Sequence, residues 1–266
     1  MTNQSQPTQN ATTEEKCASV SENKPVPTQG LAPEVKCAPA TLALEPYLAK
    51  DSLYWRMEAN VPPSIFHDSK PGHGILAHAD QDSVVVYQAF HAAIATYAAR
   101  HQTFIGAPGY KETRMTWIKP NFLWMNYRSG WGHKDKNQTH TLAIRLTRTF
   151  FDALCNDAMS TKIKTTGECP VRVQWDPDYT ANLEPERILS VHRRAIQLGL
   201  RGVASHRLAR ADKADVLSIE DITDYVKEMH QRLTLAKSAE GDARYQTLLV
   251  PVERPYSCDP EATLKI

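Results

Sequence analysis

Between Arg114 and Gly132 the chain reads RMTWIKPNFLWMNYRSGWG, with Trp117, Phe122, Trp124, Tyr127 and Trp131 interleaved among Arg114, Lys119 and Arg128. No acid falls between residues 113 and 134. Cations without a counter-ion nearby in sequence favour an anion, and phosphate suits the multi-donor guanidinium well. The rings beside them offer a face on which a base or a nicotinamide can stack. The plain alternative is a packed core in which an arginine lies over a ring.

A second acid-free stretch, Ile188 to Ala211, carries Arg193, Arg194, Arg201, Arg207 and Arg210 with His192 and His206. Its plain alternative is a solvated basic face. Acids from elsewhere, such as Asp176, Asp178 or Glu220, would then neutralise both clusters. If the fold instead joins the clusters, segments 124–131 and 193–197 line one cleft and Arg128 approaches Arg194 across a bound anion.

Neither G-x-x-x-x-G-K-[ST] nor G-x-G-x-x-G occurs, so side chains rather than a glycine-rich loop would hold the phosphate. Lys119 would serve as a nucleophile if desolvated, although KPNF lacks the glycine of the lysine–nucleotide ligase motif. No G-x-S-x-G supports a hydrolase triad. The five cysteines form no C-x-x-C pair and the histidines no H-E-x-x-H. Neither a metal site nor a prosthetic group is expected.

The net charge of +1 gives no global signal for nucleic acid or a membrane surface. No apolar run approaches the roughly 18 residues of a membrane span. The N-terminus shows no apolar leader. A cytoplasmic or nuclear location and no membrane partner are the expectation.

Positioning these residues requires strands and helices in mixed order. SVVVYQAF (83–90) reads as a buried strand and AAIATYAARHQTF as a helix. Residues 141–159 change from strand to helix at Thr147, a candidate cap. VRVQWDP, RRAIQLGL and TLLVPVERPY read as further strands. SIEDITDYVKEMHQRL has the S-x-x-D pattern of a helix start at Ser218. The aromatic segment itself fits a helix with Pro120 in its first turn and Gly130 past its end, or a strand with Phe122, Trp124, Asn126 and Arg128 on one face.

Without strict βαβ alternation, the expected class is α+β: a single compact domain over 75–266, with a mixed or antiparallel sheet flanked by helices. Residues 1–45, polar and Pro-rich, are read as a disordered arm. Residues 46–74 are read as a lead-in with a short helix.

VVVYQAF, RMTWIKPNFLWMNYRSGWG, LAIRLTRTFF, VRVQWDP, AIQLGLRG and VPVERPY resemble, in that order, domain-of-unknown-function family 4291, from about residue 75 onward. That family brings no activity with it. The order of parts also resembles the ADP-ribosyltransferase fold. That resemblance implies NAD as substrate, with Tyr87 and Gln88 on the first strand, Tyr127, Arg128 and Ser129 in the hydroxyl- and aromatic-bearing segment, and Gln197 on a late strand.

In that reading Gln197 and Ser129 are the catalytic candidates. Tyr87, Gln88, Arg114, Lys119, Trp124, Tyr127, Arg128 and Arg194 hold the ligand. The first strand lacks the usual Arg or His, and no Glu stands near Gln197 in sequence. The competing readings are an RNA- or nucleotide-processing protein of another chemistry and a non-catalytic interaction domain.

Overall fold

SVVVYQAF forms the strand that its β-branched run predicts, and the layers around it explain why both its faces are apolar. The computed structural model describes residues 34–47, 74–164, 169–177, 193–235, 245 and 247–256. In chain order these contain β1 (Leu44–Pro46), β2 (Gly74–Ala79), β3 (Ser83–Phe90), α1 (Ala92–His101), β4 (Thr116–Ile118), α2 (Phe122–Ser129), β5 (His140–Thr147) and α3 (Arg148–Asn156). There follow β6 (Ala158–Ser160), β7 (Val171–Pro177), β8 (Arg193–Leu200), α4 (Val203–Arg210), β9 (Val216–Asp221), α5 (Thr223–Leu235), β10 (Leu249–Pro251) and β11 (Arg254–Tyr256).

Nine strands form one sheet in the order β6-β7-β8-β2-β3-β5-β9, with β11 on β2 and β4 on β8. β1 and β10 pair separately. The sheet is mixed: β2–β8 and β6–β7 are parallel, while β3–β5, β5–β9 and β7–β8 are antiparallel. This is an α+β domain.

Alternate side chains of a strand point to opposite faces, and each face has its own core. Val84 and Val86 of β3 join Ile144 of β5 and Ile196, Leu198 and Leu200 of β8 beneath α1, α3 and α4. Val85, Tyr87, Ala143 and Ala195 turn the other way, beneath α2 and α5.

The long strands β3 and β8 are linked twice. β2 pairs with Arg193 and Arg194 of β8 and with Val84 and Val85 of β3. β4 pairs with Leu198–Leu200 of β8, and Lys119, just past its end, bridges to Tyr87 of β3. Lys119 is thereby fixed by backbone bonds at the junction of two strands. That junction positions the site.

Two expectations change. Residues 34–45, read as part of a disordered arm, pack on the domain: β1 pairs with β10, and Leu42 and Tyr47 are buried. Their polar, Pro-rich composition hid this because side chains of the domain hold the backbone. Glu228 accepts from the amides of Lys36 and Cys37, and Glu220 from those of Ala40 and Thr41. Of the lead-in, Pro46 ends β1 and Tyr47 is already helical, while residues 48–73, with residues 1–33, lie outside the described residues. Ser218 caps nothing, because residues 216–221 are β9 and the helix starts at Thr223.

Thr147 does cap α3, its hydroxyl accepting from the Phe150 amide. No helix among the described residues is long and apolar enough to cross a membrane.

Candidate functional site

The aromatic segment resolves into β4 followed by α2. Asn121 caps the helix by accepting from the Trp124 amide, so Pro120 precedes the cap instead of occupying the first turn. Gly130 closes it at φ 56°, a left-handed conformation that glycine adopts without penalty.

A carboxylate that the sequence reading overlooked completes the start. Glu253, fully buried, accepts from the Phe122 amide at 2.6 Å and from Asn121 Nδ2 at 2.9 Å. A negative charge at a helix N-terminus answers both the unpaired amides and the helix dipole. Glu253 therefore anchors the helix that carries Arg128.

Lys119 is the centre of the arrangement. It is 6 % exposed, and its Nζ donates to the Trp117 carbonyl at 3.3 Å. No described carboxylate forms an ion pair with it. Burial drives its pKa down to about 7, helped by the Arg128 guanidinium and opposed in part by Asp176. A charged ammonium is costly in that position, so the amine is near half-deprotonated at neutral pH.

Register and alternation place the other groups. Ile118 pairs with Leu198, so Lys119 is one step further along that ladder, level with Gln197. Ile118 and Leu198 face the first core, so Trp117, Lys119, Gln197 and Gly199 face the second, the side of α2. On β7, Gln174 lies opposite Gln197. Asp176 Oδ2 accepts from Gln197 Nε2 at 3.2 Å and Oδ1 from Gln174 Nε2 at 3.0 Å. The carboxylate absent from the sequence around Gln197 thus arrives from the neighbouring strand.

Trp117, half-buried, lies against the bare Cα of Gly199; a Cβ there would fall 2.8 Å from the indole. Asp176, Gln174 and Trp117 are the members that sequence reasoning did not assign to the site. The alternation Gln174–Asp176 in VRVQWDP was visible, but its pairing partner was not.

Register sets Lys119 level with Gln197, and the Arg128 charge acts on the Lys119 amine, while the other described candidates have contacts of their own. Tyr87 is fully buried in the second core, its ring edge-on to Phe122 at 5.6 Å and its hydroxyl without a hydrogen-bond partner. Desolvation, with Glu253 nearby, holds that phenol well above its ordinary pKa. Gln88 faces the opposite side of the sheet, where its amide donates to the Thr116 hydroxyl.

Ser129 is buried and its hydroxyl donates to the Met125 carbonyl one turn back, so it is spent on the helix. Trp124, 3 % exposed, stacks on Tyr127 with ring centres 5.2 Å apart and 16° between planes. Arg128, exposed, lies 5.9 Å from the Trp124 ring, as i, i+4 spacing requires, and has no carboxylate partner among the described residues. Arg114 is exposed in the loop before β4. The Arg194 backbone pairs with Ile75 and Pro177, but its side chain lies outside the described residues, and so does the expected approach to Arg128.

The family model for the domain of unknown function DUF4291 matches residues 74–256. The chain belongs to the DUF4291 family. The match spans β2 to β11 and contains every member of the Lys119 cluster. No curated protein matches the chain. Among the described residues of this DUF4291 domain, no group of three or more His, Cys, Asp or Glu side chains is arranged to hold a metal ion. A separate cavity of about 620 Å³ lies between α5 and the 34–47 segment, lined in part by Cys37, His133, Glu228 and His230.

Proposed function

We propose that the sheet face bearing Lys119, Arg128, Gln197 and Asp176 binds a nucleotide through its phosphates, with NAD as the ligand and ADP-ribosyl transfer as the reaction. The observation that carries this reading is a lysine, Lys119, buried without an ion-pair partner among the described residues, its pKa lowered first by burial and then by the charge of Arg128. Two neighbouring positive charges oppose each other until an anion bridges them, and a diphosphate supplies that charge at two points.

The same face carries a group suited to the chemistry. Departure of nicotinamide leaves a positively charged ribosyl centre, which a fixed carboxylate stabilises. Asp176 fills that role, held by the side-chain amides of Gln174 and Gln197. With its Nε2 committed to Asp176, Gln197 accepts a ribose hydroxyl through its carbonyl oxygen. Arg128 takes the diphosphate, and the indole of Trp117 provides the ring surface that Trp124 and Tyr127, stacked on each other, do not.

Thermal melting with NAD, ADP-ribose, ATP and short RNA tests the reading. A ligand at a hundred times its dissociation constant stabilises by about 2.7 kcal/mol. NAD and ADP-ribose should raise the melting temperature, and Arg128→Ala should cut the shift by about half or more. An RNA-only response would replace NAD with a single-stranded nucleic acid. No response to any of them removes the nucleotide reading.

A further inference from the structure

We propose that Lys119 is a covalent nucleotidyl acceptor, its amine attacking the α-phosphorus of a nucleoside triphosphate held on the Arg128–Gln197 face. This rests on the anion-binding reading of that face but does not require NAD. The argument starts from what the lysine lacks. A lysine kept only for structure either extends its head to water or pairs with a carboxylate. Lys119 does neither: it is buried, and the one described hydrogen bond of its Nζ is a 3.3 Å contact to a carbonyl two residues back. Backbone bonds to Tyr87 on one side and the β4–β8 ladder on the other fix its Cα, so little freedom remains to be lost on reaction.

Its surroundings match the needs of the step. Burial, with the charge of Arg128 adding to it, keeps the amine available as a nucleophile. The same guanidinium, exposed at the rim, stabilises the charge that grows on a leaving pyrophosphate. In the step, the Nζ lone pair forms a P–N bond, and the bond from the α-phosphorus to the bridging oxygen breaks. Pyrophosphate leaves with that electron pair, bound to the divalent cation that accompanied the triphosphate. One proton passes from nitrogen to water, leaving a phosphoramidate. No redox partner is required.

The experiment incubates the full-length protein with Mg²⁺ and each of the four α-³²P-labelled ribonucleoside triphosphates. The expected result is a label that survives denaturing electrophoresis and alkali, is lost in acid, adds the mass of one nucleoside monophosphate, and maps to Lys119. Its initial rate should rise about tenfold between pH 6 and pH 8, because a group with a pKa near 7 passes from about one-tenth to about nine-tenths neutral over that range. Lys119→Arg should reduce labelling to background.

If that variant does not fold, the peptide map and the pH profile of the wild-type protein decide the matter. Absence of an adduct with all four triphosphates, or an adduct on another residue, overturns the proposal. If NAD still stabilises the protein in that case, only the covalent step fails. If neither labelling nor stabilisation is seen, the anion site fails as well.

Discussion

Helix α4 and the α2–β4 junction both lie in acid-free stretches of the sequence, yet the fold surrounds their cations differently. On α4, Arg207 meets Asp215 through two hydrogen bonds at 2.8 and 2.5 Å, Arg210 lies 3.4 Å from Asp212, and His206 lies 3.4 Å from Glu112. Each acid comes from a neighbouring loop, so the basic run is a neutralised surface. At the junction, Lys119 and Arg128 have no such partner among the described residues, and burial, with the Arg128 charge adding to it, makes the lysine give up charge instead. An acid-free stretch of sequence is therefore a weak sign of a binding site. Burial of one cation against another is a stronger one.

The largest effect expected from breaking this contrast is Trp124→Ala. The indole is packed among Phe122, Tyr225 and the other apolar groups under α2, so its loss should cost about 3–5 kcal/mol in chemical denaturation. Loss of under 1 kcal/mol would show that the junction is not built on a core.

Next comes Lys119→Met. The folded pKa near 7 lies below the ordinary 10.5, so the unfolded chain binds more protons between those values. Wild-type stability should therefore rise with pH across that window. The methionine variant lacks the term, so its stability relative to wild type should be about 2–3 kcal/mol more favourable at pH 6 than at pH 9. A flat difference would mean that the amine stays charged.

On the neutralised side, Arg207→Ala should cost about 1 kcal/mol, because Asp215 loses its hydrogen-bonding partner near the surface. It should leave nucleotide binding unchanged. The smallest stability effect is expected for Arg128→Ala, within about 0.5 kcal/mol as for an exposed site. Its binding should nonetheless weaken at least about tenfold, in the range of a lost charge-assisted hydrogen bond. If the two arginine variants behaved alike in binding, the contrast between the regions would be false.

Much of the scaffold was legible because it rests on local rules. The continuous β-branched run in SVVVYQAF, the Thr147 cap and the Gly130 stop each depend on a few adjacent residues. The i, i+4 pairing of Trp124 with Arg128 was equally readable. What escaped depends on which strands meet. Asp176 joins Gln197 only because β7 pairs with β8 in one register, and a shift of one residue would turn it to the opposite face.

Glu253 reaches α2 across 131 residues of sequence, with nothing nearby to announce it. Tyr87 was misleading for the opposite reason. The resemblance to the ADP-ribosyltransferase fold suggested a ligand contact there, whereas the strand alternation that selects its face also buries it entirely.

The 34–47 segment bears on where the folding unit begins. The family match starts at residue 74, but the physical unit reaches back at least forty residues further, to Glu34. A fragment cut at residue 74 would leave β10 with an open edge, a template for pairing with other chains. It would uncover the apolar sockets of Leu42 and Tyr47, and leave Glu220 and Glu228 without the backbone amides they bind. Such a fragment should be recovered as aggregate, whereas one beginning at residue 34 keeps both the edge and the sockets covered.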